Sequence, residues 1–173
     1  PTGGWGYNWG SGPAWDSALL ILPWTLYVYQ GDLRILERAY PAMRKYVDFV
    51  TSRAKDGIAA FGLSDWTPVK TKTPVEVTST GYYYLDAQIV ARTAELLGRK
   101  EEAARYGTLA ASIREAYNRQ LYKGDGVYSI GSQTAQSCAL HQGLVPQSER
   151  AKVEARLVET VRQNGAGPDF GIL

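Results

Sequence analysis

The chain has 173 residues, 45% of them hydrophobic and 21% charged, with a net charge of +2. That length suits one domain with a sizeable core, and the near-neutral balance, with no basic cluster, excludes a dedicated nucleic-acid surface. Cys138 is the sole cysteine, which excludes an internal disulfide and a cysteine-built metal knot, and the apolar run over 18–27 is too short to span a membrane.

In chain order, the first feature is a glycine-rich stretch, "GGWGYNWGSGPAWD", carrying Trp5, Tyr7, Trp9 and Trp15 and ending on Asp16. Residues 16–29 are apolar nearly all round, which predicts a helix buried on most sides, capped by Asp16, kinked at Pro23 and stopped by Gly31. Asp32 is expected to cap a short turn, "LRILERAY", that Pro41 ends. From Pro41 onward Met43, Tyr46, Val47 and Val50 share one face of an amphipathic helix. Residues 56–78 show no helical period and hold Gly57, Gly62, Pro68 and Pro74; a structureless connection of this length inside a compact domain is usually functional. Helices are expected again over 79–97, ended by Gly98, and over 100–121. The second carries Tyr106, Leu109, Ala110, Ile113, Ala116 and Tyr117 on one stripe, with Glu101/Arg105 and Glu115/Arg119 spaced as ion pairs. "GDGVYSIG" reads as a turn with a short extended piece, 132–142 as a small-residue helix, and Pro146 opens a last helix whose Val153, Leu157, Val158 and Val161 face inward.

The order is an apolar helix then an amphipathic one, three times over, the apolar members starting near Asp16, Ser79 and Ser132. This all-α pattern fits an α-solenoid of stacked pairs or a closed toroid with the apolar helices inside. Solenoid repeats keep a fixed period and short turns. Here the repeats are unequal and their connections long and aromatic, which favours the toroid, its loops gathered at one end around a pocket. The chain opens on Pro1 within a loop and stops on the apolar "DFGIL", the pattern expected of a segment of a longer protein.

Two tryptophan–aspartate pairs carry the chemistry: Trp15–Asp16 in the opening stretch and Asp65–Trp66 in the long connection. Flat ring faces beside isolated carboxylates suit a sugar, whose C–H faces stack on rings and whose hydroxyls bond carboxylates. Taken singly, Asp16 reads equally as a helix cap and Asp65 as a turn residue; together, each beside a tryptophan, they point to a site. They could be the two carboxyl groups that a glycosidase places about its scissile bond, or they could bind hydroxyls. Trp24, eight residues after Asp16, lies on nearly the same helix face, where packing in the core is the default role. Gln133 and Thr134 suit either a ligand or a helix start, and His141, the sole histidine, suits a structural place near a helix end. No metalloprotease, P-loop, nucleophile-elbow or dinucleotide motif occurs, so neither a metal nor a cofactor is expected.

The runs "PAWDSALLILPWTLYVYQGDLRILERAYPAMRKYVDFV", "DW" at 65–66, "TSTGYYYLDAQIVARTAELLGRKEEAARY" and "GSQTAQSCAL" together resemble the catalytic domain of bacterial α-L-rhamnosidases, inverting glycoside hydrolases built on an (α/α)6 barrel. The resemblance covers nearly the whole chain and implies that Asp16 and Trp24 contribute to a rhamnose pocket, with Trp66 matching a sugar-stacking tryptophan and Asp65 beside it. The family's general acid, a Glu in an acidic and arginine-rich motif upstream, and its general base, a Glu in later barrel helices, have no counterpart here. The resemblance therefore implies roughly half of an (α/α)6 toroid, partnered by the rest of its own catalytic domain and by a rhamnoside or other carbohydrate, inactive by itself, with no nucleic acid or membrane partner. Half a barrel also implies cut edges that a homo-oligomer could close; the compartment stays open, a periplasmic or extracellular setting being favoured over the cytoplasm. Two other readings stay open: another (α/α)6 glycosidase of the trehalase or glucoamylase kind, and a peptide-binding helical scaffold. The sugar reading predicts Trp5, Trp9, Trp15, Trp24 and Trp66 converging at one end, the scaffold reading rings spread along a groove.

Overall fold

A computed structural model describes residues 11–172; Trp5, Tyr7 and Trp9 of the expected aromatic wall lie outside the described residues. The described chain is helical: α1 (Pro13–Asp16), α2 (Ala18–Gln30), α3 (Leu33–Arg53), α4 (Val75–Leu96), α5 (Lys100–Leu121), α6 (Gln133–His141), a 3-10 turn (Gln147–Glu149) and α7 (Arg150–Gln163). The pairs α2–α3, α4–α5 and α6–α7 pack as hairpins, and α4 sits at the centre, touching α1, α2, α3, α5 and α6. Tyr40 and Arg44 of α3 reach Glu102 of α5, and Asp48 reaches Arg105 and Tyr106, so the two amphipathic helices run parallel. Arg105 thus serves the α3–α5 seam and not the expected pair with Glu101.

The largest departure from the sequence pattern is α3. It runs unbroken through Pro41, where a short turn and a new helix are expected. Leu36, Tyr40, Met43, Val47 and Val50 recur at helical spacing and are all buried. Burying side chains of this size stabilises by about 1.5–3 kcal/mol each, so the stripe outweighs the ~3 kcal/mol that an interior proline costs. Similarly α2 continues through Pro23. Its expected burial on most sides is corrected: only Leu20 is fully covered, while Leu22, Leu26, Val28 and Tyr29 are exposed. An apolar helix is buried only where neighbours surround it, and α2 is the edge of this array.

Asp32 is the N-cap of α3, accepting from the Arg34 amide at 3.0 Å while the Arg34 guanidinium grips both its oxygens. Those Arg34 contacts hold the carboxyl down to about 2. A depressed carboxyl stabilises the fold fully above its unfolded value near 3.8 and loses that contribution as pH falls through 2. A carboxyl-carbon NMR titration should place the Asp32 midpoint near 2, and Arg34→Ala should return it toward the ordinary aspartate range.

The three hairpins are closed by short connections within each pair, residues 31–32, 97–99 and 142–146. Between hairpins the connections are long, residues 54–74 and 122–132, and both lead into the starts of α4 and α6. Leu63 donates to the Ser11 carbonyl at 2.9 Å, and Thr73 and Ser132 hydroxyls meet at 2.7 Å, so these connections gather with the segment before α2 at one end of the array. This end is the mouth.

Candidate functional site

Two close approaches build the mouth. The backbones of Gly12 and Gly62, both with positive φ, cross so tightly that a Cβ on Gly62 would lie 2.6 Å from the Ser11 carbonyl oxygen and 2.7 Å from the Gly12 Cα. The second approach is a strap, residues 164–172, that follows α7 and lies along the long connection. Asp169 accepts from the Lys70 and Thr71 amides and the Thr71 hydroxyl, contacts that hold its carboxyl below the ordinary value. Gln133 bonds Gly167 and Asp169, and Ile172 donates to the Trp66 carbonyl. At Gly171 a Cβ would stand 2.1 Å from that same carbonyl oxygen.

These contacts bring the two tryptophan–aspartate pairs together. The Trp15 and Trp66 rings meet edge to face with centroids 5.8 Å apart, the Trp15 indole donates to the Ser64 carbonyl at 3.0 Å, and Trp66 keeps 37% of its surface exposed. Ser64 and Thr67 carry φ of 60° and 55°, left-handed conformations that side-chain-bearing residues rarely adopt, and they bracket Asp65–Trp66. Strain of this kind persists where surrounding structure over-determines it, and it clusters at functional sites.

Asp65 is buried, accepting from the Thr134 hydroxyl at 2.6 Å and the Gly171 amide at 2.9 Å. It therefore ties the α6 start and the strap beneath Trp66. Asp16 is half-buried; its Oδ2 accepts from the Gly12 amide at 3.1 Å and from Tyr46 at 3.4 Å. It closes α1 and does not cap the helix that follows, because the chain breaks at Ser17 and α2 starts afresh. Trp24 stands apart from the indole pair in its ring contacts: among the described residues its ring partner is Tyr27, at 5.8 Å, and it packs half-buried against the core. Gln133 and Thr134 spend their polar groups on the strap and on Asp65, and His141 is exposed at the end of α6.

Sequence reasoning passed over two elements of this end. One is the strap, whose contacts are mostly made to backbone and so leave no period. The other is Asp86, fully buried in α4 and 2.7 Å from the Ser17 hydroxyl, its carboxyl pushed well above the ordinary range by desolvation. Its signal was visible: Asp86 is the single charged residue between Val77 and Ala91. Among the described residues no group of His, Cys, Asp and Glu is placed to share a metal ion.

A row of α/α hairpins whose long connections meet at one end, around rings and carboxylates, is the build of a six-hairpin glycosidase domain. The chain belongs to the bacterial α-L-rhamnosidase six-hairpin glycosidase domain family, whose model matches residues 1–173. It is 33% identical over 157 residues to an α-L-rhamnosidase of Streptomyces avermitilis and 30% identical over 168 residues to one of an Alteromonas species, matches that cover 89% and 90% of this chain. In structure it is similar to the Streptomyces avermitilis α-L-rhamnosidase complexed with L-rhamnose, at 30% identity and a TM-score of 0.86 over 91% of this chain. It is equally similar to the Dictyoglumus thermophilum α-L-rhamnosidase, at 33% identity and a TM-score of 0.86 over 93% of this chain. The chain spans only 15% and 18% of the two curated relatives and 15% and 19% of the two solved chains.

Proposed function

We propose that the chain is a segment of an inverting α-L-rhamnosidase that removes terminal α-L-rhamnosyl groups, and that it supplies part of the sugar pocket while the reacting glutamates come from elsewhere in the parent protein. The observation that carries this reading is the Trp15–Trp66 ring pair at the mouth, with Asp16 adjoining one ring and Asp65 the other. An exposed indole face takes the apolar C–H face of the sugar, and the half-buried Asp16 takes a hydroxyl. Trp24, set apart from that ring pair and packed beside Tyr27, contributes to the pocket from α2. Inversion requires an acid to protonate the leaving oxygen and a base about 6.5–9.5 Å away to activate a water on the opposite face. The residues of this chain hold the ring so that this water attacks in line, a positional contribution to the barrier. The remainder of the barrel would cover the apolar face of α2 that is exposed here.

Two assays test the reading. The purified 173-residue chain should release no chromophore from an aryl α-L-rhamnoside, whereas the complete parent protein should do so. Proton NMR of the parent reaction should show the β anomer of rhamnose first. Turnover by the isolated chain, or the α anomer as first product, would refute it.

A further inference from the structure

Ser17 stands at the break between α1 and α2, directly after Trp15 and Asp16. Its Oγ lies 2.5 Å from the Pro13 carbonyl oxygen and 2.7 Å from Oδ2 of Asp86. A hydroxyl carries one proton and a carbonyl none. The short contact with Pro13 therefore takes the serine proton, and the contact with Asp86 needs a proton of its own, which the carboxyl alone can supply. The other carboxyl oxygen, Oδ1, is buried with no hydrogen-bond partner among the described residues, a state that costs far less for a neutral acid than for a carboxylate. Desolvation acts in the same direction, and the charge of Asp16 adds to it. Among the described residues the ionisable groups facing Asp86 are Asp16 from α1, Tyr46 from α3 and Tyr82 from α4 itself, none of which brings a positive charge.

We infer that Asp86 is a positioning residue: it keeps its proton, donates it to Ser17, and through the relay Asp86–Ser17–Pro13 carbonyl clamps the α1–α2 break that sets Trp15 and Asp16 toward the sugar. This bearing on substrate rests on the pocket reading above. Asparagine mimics the neutral acid, since its amide donates as the acid hydroxyl does, while alanine leaves Ser17 without a donor.

The test has an infrared and a kinetic arm. The difference spectrum of the chain, wild type minus Asp86→Asn at neutral pH, should show the carbonyl stretch of a protonated carboxylic acid. Carboxylate bands in its place overturn the proton assignment. In the parent enzyme Asp86→Asn should keep KM and kcat for an aryl rhamnoside within about threefold, whereas Asp86→Ala should raise KM about tenfold and leave kcat within threefold. An asparagine variant as impaired as the alanine one sinks the relay. Asp16→Ala, measured alongside, examines the pocket separately: an unchanged KM there removes the bearing on substrate, while the infrared band still decides where the proton sits.

Discussion

Replacing Gly62 with valine is expected to lower the thermal midpoint of the chain by roughly 10 °C. The new Cβ would enter the crossing with the Ser11–Gly12 backbone at 2.6–2.7 Å, and every atom it meets is main chain, so no side chain can swing aside. A φ of 108° adds strain that a β-branched residue bears poorly. Left-handed strain of about 1–2 kcal/mol and overpacking of about 1–3 kcal/mol together suggest about 3–4 kcal/mol. In a domain of this size each kcal/mol moves the midpoint by about 2–4 °C. Gly98→Ala is the matched control, because Gly98 also has positive φ, at 72°, but a Cβ there meets nothing within 4 Å. It should cost about 1–2 kcal/mol from backbone strain alone. Differential scanning calorimetry of the two variants compares them directly. Equal shifts would mean that the crossing is not tight, and that something else holds Trp15 against Trp66.

The elements written most plainly in the sequence are those whose local chemistry and tertiary burial agree. The helix expected over 100–121 is α5, because its apolar stripe of Tyr106, Ala110, Ile113 and Tyr117 is the face that is buried. The helix expected to start near Ser132 is α6, where Ser132 is the cap and accepts from the Ala135 amide. Where the two levels conflict, burial wins. Pro41 reads locally as a boundary, yet the stripe on either side of it is long enough to carry the helix through. The start of α4 shows the opposite failure. Val75, Val77 and Thr78 are poor helix formers and no side chain caps them, so the expected start falls at Ser79, a full turn late. Asp16 reads as a cap for the helix that follows, but its carboxylate turns back to the Gly12 amide, four residues earlier. That choice depends on the break at Ser17, and the break depends on Asp86, sixty-nine residues away. The strap lies outside local reasoning for a related reason. Its bonds join Asp169 to Lys70 and Gly171 to Asp65, about a hundred residues back along the chain, and no periodic pattern encodes a pairing of that kind.

Asp65 is where a structural and a sugar-binding role can be told apart, and the expected effect is large in either case. Its Oδ2 receives both the Thr134 hydroxyl and the Gly171 amide, so one oxygen fastens α6 and the strap under Trp66. Asp65→Ala removes the acceptor of both bonds in a buried place. Hydrogen bonds to a charged group are worth about 1.5–3 kcal/mol each, so a loss of roughly 3–5 kcal/mol is expected. The strap should then come away, and proteolysis within residues 164–172 should quicken. Asp65→Asn keeps a carbonyl oxygen with two lone pairs and can still accept from both donors. If fastening is the whole role, the asparagine variant should stay within about 1 kcal/mol of wild type in chemical denaturation, with an unchanged KM in the parent enzyme. If the charge also binds a sugar hydroxyl, the asparagine variant should fold normally yet raise KM several-fold. Burial favours fastening as the larger part: Asp65 is 1% exposed, whereas Trp66 beside it keeps 37%. In the proposed pocket Asp65 would then act on the sugar chiefly by holding the neighbouring indole in place, leaving the direct contact to Asp16 and the two rings.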